Sequence, residues 1–209
     1  MKLLSVGVVL VAASASYAQI LSGETASNNG SGGIFTNMTS NVNLTLTGFD
    51  LFFTGTAGTN VGVEVWTRTG TYNGFETSNV GWTLHDTMTG TRSGTTVLSA
   101  LTLNTGLSLT SGQTTAVYLH AVDSVNTGGI RYWGTGGAPP TTTTFSNADL
   151  SMTAEHAMTG LTPFGGGLFT PRTFSGNVHY SVDAVPEPAT MGLLGLGCAA
   201  LAARRRRKG

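Results

Sequence analysis

The sequence predicts an all-β protein, an antiparallel β-sandwich of jelly-roll-like form with about ten strands. Apolar and polar residues alternate in many short windows, as they do in strands that are buried on one face. Turn signals rich in Gly and Asn separate these windows at the spacing of about 8–12 residues that is typical of sandwiches. Charged residues make up only 10% of the chain, too few for a coiled coil or a long exposed helix.

The individual strands follow from the alternation. The clearest windows are residues 42–46, 49–53, 61–66, 117–122, 150–154 and 178–182. Weaker windows are 34–38, 82–87, 97–103 and 130–133. Turns are predicted at 73–74, 104–106, 111–112 and 127–129, and exposed loops at 134–145 and 160–174. The pattern does not define the strand order, so a two-sheet sandwich is expected because it buries one face of each sheet.

The net charge of zero conceals an uneven distribution. Six of the ten basic residues lie near the two ends of the chain: Lys2, Arg204, Arg205, Arg206, Arg207 and Lys208. The region 19–184 carries four arginines against nine acidic residues, a net charge near −5. A weakly acidic body with few cations cannot neutralise phosphates, so no nucleic acid is expected as a partner.

The N-terminus has the three parts of a secretory signal. Lys2 supplies a positive start, residues 3–13 are largely apolar, and Ser16 and Ala18 are small residues at the positions that signal peptidase reads. We therefore predict a signal peptide at 1–18, cleaved after Ala18 by signal peptidase. The mature chain would begin at Gln19, with a β-sandwich domain at 19–184.

The C-terminus combines prolines, a short apolar segment and a basic end. Pro186 and Pro188 flank Glu187, and the apolar residues 189–203 precede the run from Arg204 to Lys208. A helix of this length would reach about 22 Å, less than the roughly 30 Å of a hydrocarbon core. The segment therefore predicts a short, weak transmembrane helix. Because basic clusters remain in the cytoplasm, the arginines should lie there, and the region between the two ends of the chain should be exported.

This ending resembles the PEP-CTERM sorting signal of Gram-negative bacteria. The resemblance implies that exosortase, an integral-membrane cysteine protease, recognises Pro186, Glu187 and Pro188 in the segment 185–209 and removes the tail. The apolar segment and Arg204–Lys208 would form the membrane stop. Such proteins are typically associated with exopolysaccharide, biofilm or floc. The order of motifs in the body, at 63–66, 70–77, 82–84, 111–114, 146–150 and 174–178, also resembles a recurrent kind of exported bacterial β-sandwich. This resemblance implies an architecture and no activity.

No motif indicates catalysis, so no catalytic residue, metal or cofactor is predicted. The acidic candidates, for example Asp50, Glu64 and Glu76, lack a recognisable catalytic context, and the four histidines lack metal-binding spacing. The single cysteine, Cys198, lies in the tail, which leaves the body without a disulfide. A secreted hydrolase remains a weaker hypothesis, which would need two carboxylates about 5–10 Å apart.

Binding is a more plausible activity than catalysis. Sugars stack on exposed aromatic rings, for which the candidates are Trp66, Trp82, Tyr132 and Trp133. Because Tyr132 and Trp133 are neighbours in a predicted strand, only one of them can point into the core. The leading hypothesis is a non-enzymatic surface or matrix protein, released from a transient inner-membrane anchor. A carbohydrate-binding module is the alternative, and loop-bound calcium is left open.

Overall fold

The computed structural model describes residues 17–122, 128–183 and 195. Residues Tyr17–Val182 form one compact unit. Its strands are β1 (Tyr17–Ser22), β2 (Asn29–Ser31), β3 (Gly33–Ser40), β4 (Leu44–Leu51), β5 (Asn60–Thr69), β6 (Thr83–Thr91), β7 (Ser99–Leu109), β8 (Thr114–Ala121), β9 (Ile130–Tyr132), β10 (Thr144–Ser146), β11 (Leu150–Met158), β12 (Leu168–Phe169) and β13 (Gly176–Val182). In the part of the chain described, no helix has the length and apolarity needed to cross a membrane.

Two antiparallel sheets make up the body. One has the order β1-β13-β4-β7, and the larger has the order β10-β11-β3-β8-β5-β6, with β12 beside β11. A small third sheet pairs β2 with β9. The chain passes repeatedly between the two main sheets, since β3, β5, β6 and β8 belong to the larger sheet while β4, β7 and β13 belong to the smaller. This is the connectivity of a jelly roll with an added strand pair, and it confirms the predicted fold class.

The main core lies between the two sheets and is built by the alternation that predicted the strands. Val61, Val63 and Val65 of β5 are buried there, each separated from the next by a residue that points to the outer face of the sheet. Phe49 and Tyr180 enter the same core from the smaller sheet. Burying a side chain of this size contributes about 1.5–3 kcal/mol, so the in-facing residues fix which face of each strand is turned inward.

The larger sheet also carries a second, aromatic core on its outer face. Phe35, Tyr72, Trp82, Ala116, Tyr118, Met158 and Phe164 are its buried members. Phe35 and Tyr118 stack with ring centroids 3.9 Å apart. Tyr72 and Trp82 come from the β5–β6 connection, and Phe164 comes from the segment after β11, so two loops cover the middle of this face. Strands β3 and β8 are therefore buried on both sides.

Two sequence predictions are wrong in an informative way. Residues 104–106, expected to form a turn, lie inside β7. There the segment 103–106 bulges opposite the single residue 47 of β4. The segment 160–174, expected to be an exposed loop, contains the buried residues Phe164, Arg172 and Phe174. Its glycines and prolines suggested a solvent-exposed loop, but its apolar side chains close the two cores.

The bulge in β7 is held by a carboxylate of β6. The Asn104 side-chain amide donates to Asp86 Oδ1 and to the Thr87 carbonyl, both at 3.0 Å, and the Thr105 amide donates to Asp86 Oδ2 at 3.1 Å. Burial alone would raise the pKa of Asp86, but these hydrogen bonds stabilise the carboxylate and lower its pKa overall. The contact ties the edge strand of one sheet to the edge strand of the other.

Candidate functional site

Alternate residues of β5 line the outer face of the larger sheet beyond the aromatic core. Gly62, Glu64 and Trp66 point outward, opposite to the three valines of the main core. The strand register places Glu64 between Thr87 of β6 and His120 of β8. The central part of this face thus runs from an aromatic ring to a carboxylate and then to a residue with no side chain.

Glu64 is the charged residue two positions from Gly62 on this face, and Arg68 lies further along β5, over the Phe75 ring. Its Oε2 accepts a 2.9 Å hydrogen bond from Trp66 Nε1 and lies 3.8 Å from His120 Nδ1. Both contacts use the same oxygen, which leaves Oε1 for a further donor. The Glu64 side chain is 22% exposed, whereas that of His120 is only 1% exposed. A ligand on this face could therefore reach the carboxylate but not the imidazole.

His120 is neutral at ordinary pH. Burial lowers its pKa, because the charged imidazolium would lose its hydration, while Glu64 and the Gly160 carbonyl act in the opposite direction. Nε2 lies 3.4 Å from that carbonyl, which links β8 to the loop that carries Phe164. His120 is therefore a structural residue that lies beneath Glu64.

A groove lies next to Glu64, above the β5–β6 pair. Its volume is about 590 Å³, and its lining residues are Asn60, Val61, Gly62, Thr87, Thr89, Gly90, Thr91 and Val122. No charged side chain is among them. Gly62 forms the floor of the groove, since a Cβ atom added there would meet the Val122 side chain at 3.4 Å and the Met88 carbonyl oxygen at 3.9 Å, both ordinary contact distances. The volume is within the usual range of small-ligand sites.

The four aromatic residues predicted to bind sugar occupy different environments. Tyr132 is buried in the main core and Trp82 in the aromatic core. Trp66 is half-buried, and its ring and that of Phe164 are arranged edge to face with centroids 5.3 Å apart. Trp133 is half-buried and pairs through its backbone with Thr173. The expectation that only one of Tyr132 and Trp133 enters the core is met, and Trp66 and Trp133 are the members of the set with accessible ring surface.

Several of the acidic candidates have a local partner. His179 Nε2 lies 2.8 Å from Asp50, and the Tyr180 hydroxyl donates to Asp149 at 3.1 Å. His156 Nδ1 lies 2.8 Å from Glu76, which also accepts the Gly74 amide. Across residues 17–122 and 128–183, no group of three or more His, Cys, Asp or Glu side chains could hold a metal ion.

Several residues of the groove were not predicted from the sequence. Thr87, Thr89 and Thr91 recur at two-residue spacing, and Met88, between the first two, is a buried core residue. That alternation was visible and indicated one polar face of β6. What the sequence did not reveal is that Gly62 lies opposite Thr89 and opens a hollow beside it.

The predicted processing residues lie at or beyond the limits of the described chain. Ala18 is the second residue of β1 and pairs with Ser181 of β13, so cleavage after it would leave four residues of β1. Pro186, Glu187, Pro188 and the membrane stop Arg204–Lys208 lie outside the described residues, as do residues 1–16 of the predicted signal peptide and the predicted C-terminal helix, apart from residue 195.

Comparison with known protein families gives one match. Residues 184–207 match the family model described as the PEP-CTERM protein-sorting motif. No curated protein matches the chain. The match confirms the resemblance drawn from Pro186, Glu187 and Pro188: the chain carries a PEP-CTERM sorting motif after a β-sandwich body, and this signal implies processing by exosortase, export and passage through the membrane.

Proposed function

We propose that the protein is a non-enzymatic component of the cell surface or extracellular matrix, associated with exopolysaccharide after exosortase removes its tail. The position of the sorting motif carries this proposal. β13 ends at Val182 and the motif begins at residue 184, so cleavage near Pro186 would release the complete β-sandwich. The short apolar segment would act as a transient inner-membrane anchor until that cut.

The use of the acidic side chains supports a non-enzymatic role. Glycoside hydrolysis generally requires two carboxylates that flank one bond. Glu64 lies on the outer face of the larger sheet beside the groove, while Asp86 lies on the opposite face of β6 and holds the β7 bulge. Asp50 and Asp149 belong to contacts of the smaller sheet. No pair of these groups therefore converges on the groove.

A carbohydrate-binding module is the second candidate. The accessible rings of Trp66 and Trp133, and the groove beside Glu64, favour it over the hydrolase. The two candidates are compatible, because a matrix protein can be retained by binding the polysaccharide itself.

Fractionation of a producing bacterium tests the leading proposal. The full chain is expressed in a strain that has exosortase and in an isogenic strain that lacks it, and the protein in each fraction is measured by intact mass. We expect the surface or medium fraction of the first strain to contain a chain that begins at Gln19 and ends near Pro186, and the second strain to retain a membrane-bound form.

A variant with Pro186→Ala, Glu187→Gln and Pro188→Ala provides the matched control, and it should behave like the strain without exosortase. Enzymatic removal of exopolysaccharide should release the processed protein from the surface. Exported protein with Arg207 still attached, or processed protein that is unaffected by loss of the polysaccharide, would contradict the proposal.

A further inference from the structure

We propose that the groove above Gly62 binds a chain of neutral sugars. This inference rests on the proposed association with exopolysaccharide and assigns it to one place on the molecule. The groove lies at β6, the edge strand of the larger sheet. A polymer needs a site that is open along its length, and an edge strand offers such a site without any rearrangement of the fold.

The lining of the groove has the mixed character of a sugar ring. Thr87, Thr89 and Thr91 project from the same face of β6, about 6.8 Å apart along the strand, and their hydroxyls can both donate and accept hydrogen bonds. Asn60 adds an amide, which does the same. Val122, which is 45% exposed, provides an apolar contact for the C–H face of a ring.

The charge around the groove selects against acidic polysaccharides. Lys or Arg side chains usually neutralise a uronate or sulfated chain, and none lines the groove. Glu64, two residues from Gly62 on the same face, would repel an anion. The body as a whole is near −5, so its long-range field acts in the same direction. A neutral hexose or N-acetylhexosamine chain meets no such penalty, and its hydroxyls can donate to Glu64 Oε1.

Gly62 provides a direct test of the site. Its backbone lies in a strand, where β-branched residues are favoured, and a Cβ atom there would meet the Val122 side chain at 3.4 Å and the Met88 carbonyl oxygen at 3.9 Å, which are ordinary contacts. Gly62→Val should therefore fill the groove and leave the fold intact. Thr89→Val is a second, smaller change, which keeps the side-chain shape and removes one hydroxyl from the groove.

Calorimetry on the full chain in mild detergent measures binding. The probes are hexasaccharides of β-linked glucose and of N-acetylglucosamine, with a hexamer of a uronic acid for comparison. We expect at least one neutral probe to bind, with at least tenfold weaker affinity in Gly62→Val and a severalfold loss in Thr89→Val. Thr102→Val, on an exposed position of β7 in the other sheet, should bind as the unmodified chain does.

The inference is overturned if neither neutral probe binds, if the uronic acid hexamer binds as tightly, or if Gly62→Val binds normally. Circular dichroism checks that each variant is folded. If Gly62→Val does not fold, the affinity of Thr89→Val decides whether the groove binds the sugar. These outcomes are separate from the fractionation experiment. A processed surface protein that binds none of the probes would contradict the inference about the groove and leave the proposed function unaffected.

Discussion

Removal of a single oxygen atom from Tyr72 should weaken the body measurably. The Tyr72 side chain is fully buried, and its hydroxyl accepts a 3.0 Å hydrogen bond from the backbone amide of Glu155. That amide lies where the register of β11 shifts against β3, between Thr153 and His156, so the regular ladder is interrupted there. Burial raises the pKa of Tyr72 to about 12, which keeps the group protonated at any physiological pH.

Tyr72→Phe leaves the aromatic packing unchanged and the Glu155 amide without its partner. The bond is only partly buried, so loss of the acceptor should cost about 1 kcal/mol, the lower end of the range for an unsatisfied donor. A loss of about 1 kcal/mol corresponds to a fall of about 2–4 °C in the melting temperature for a domain of this size. Thermal unfolding followed by circular dichroism, on the unmodified chain and on the variant, measures the difference.

Tyr118→Phe is the matched control, because it makes the same chemical change in the same aromatic core. Burial raises the pKa of Tyr118, an effect that the nearby backbone of Phe164 partly offsets, yet among the residues that the structure describes the buried hydroxyl has no hydrogen-bond partner of normal geometry. Its removal should change stability by less than about 0.5 kcal/mol, or increase it. Equal losses in the two variants would show that the bond to Glu155 does not account for the effect.

Three further predictions concern charge and space. The pKa of Asp86 in the folded protein lies below its ordinary value of 3.8, so its contribution to stability is complete above pH 3.8 and is lost as the pH falls through the lower folded value. Asp86→Asn should remove this acid dependence, measured by urea titration, and cost about 1–2 kcal/mol at neutral pH. His120 has a pKa below 6.5, so its contribution to stability is complete above that pH and declines as the pH falls further, and a proton NMR titration midpoint at or above 6.5 would contradict this. Gly33→Ala should prevent folding, since its Cβ would lie 2.1 Å from the Leu119 carbonyl oxygen, whereas Gly62→Ala should melt within a few degrees of the unmodified chain.

The fold class was predictable from the sequence because alternation is a local property. Every clear apolar window predicted from the sequence has a counterpart in a strand, although two of them merge into the single strand β4. Strand order depends on contacts between distant segments, which no local pattern encodes. The same limit explains the bulge at 104–106. Asn and Gly there suggest a turn, but a carboxylate of β6 supplies hydrogen bonds that keep the segment within β7.

The candidate site was predicted in part. Trp66 was selected for its residue type, and its position on the outer face of β5 followed from the alternation with the three valines. Burial of Trp82 could not be foreseen, because it depends on the loop that carries Phe164, which is distant in sequence. For Tyr132 and Trp133, the alternation required that only one enter the core but did not indicate which. The groove itself depends on the alignment of Gly62 with Thr89, a register that the sequence leaves open.

The composition of the body restricts how it could be retained outside the cell. The two lysines, Lys2 and Lys208, and the single cysteine, Cys198, all lie outside 19–184. Once both ends are removed, no side-chain amine is left to form an amide cross-link and no thiol to form a disulfide. With only four arginines in the body, attraction to an anionic surface is also weak. Non-covalent contacts with uncharged groups remain available to the body, and the threonine-lined groove above Gly62 is a surface with suitable chemistry for them.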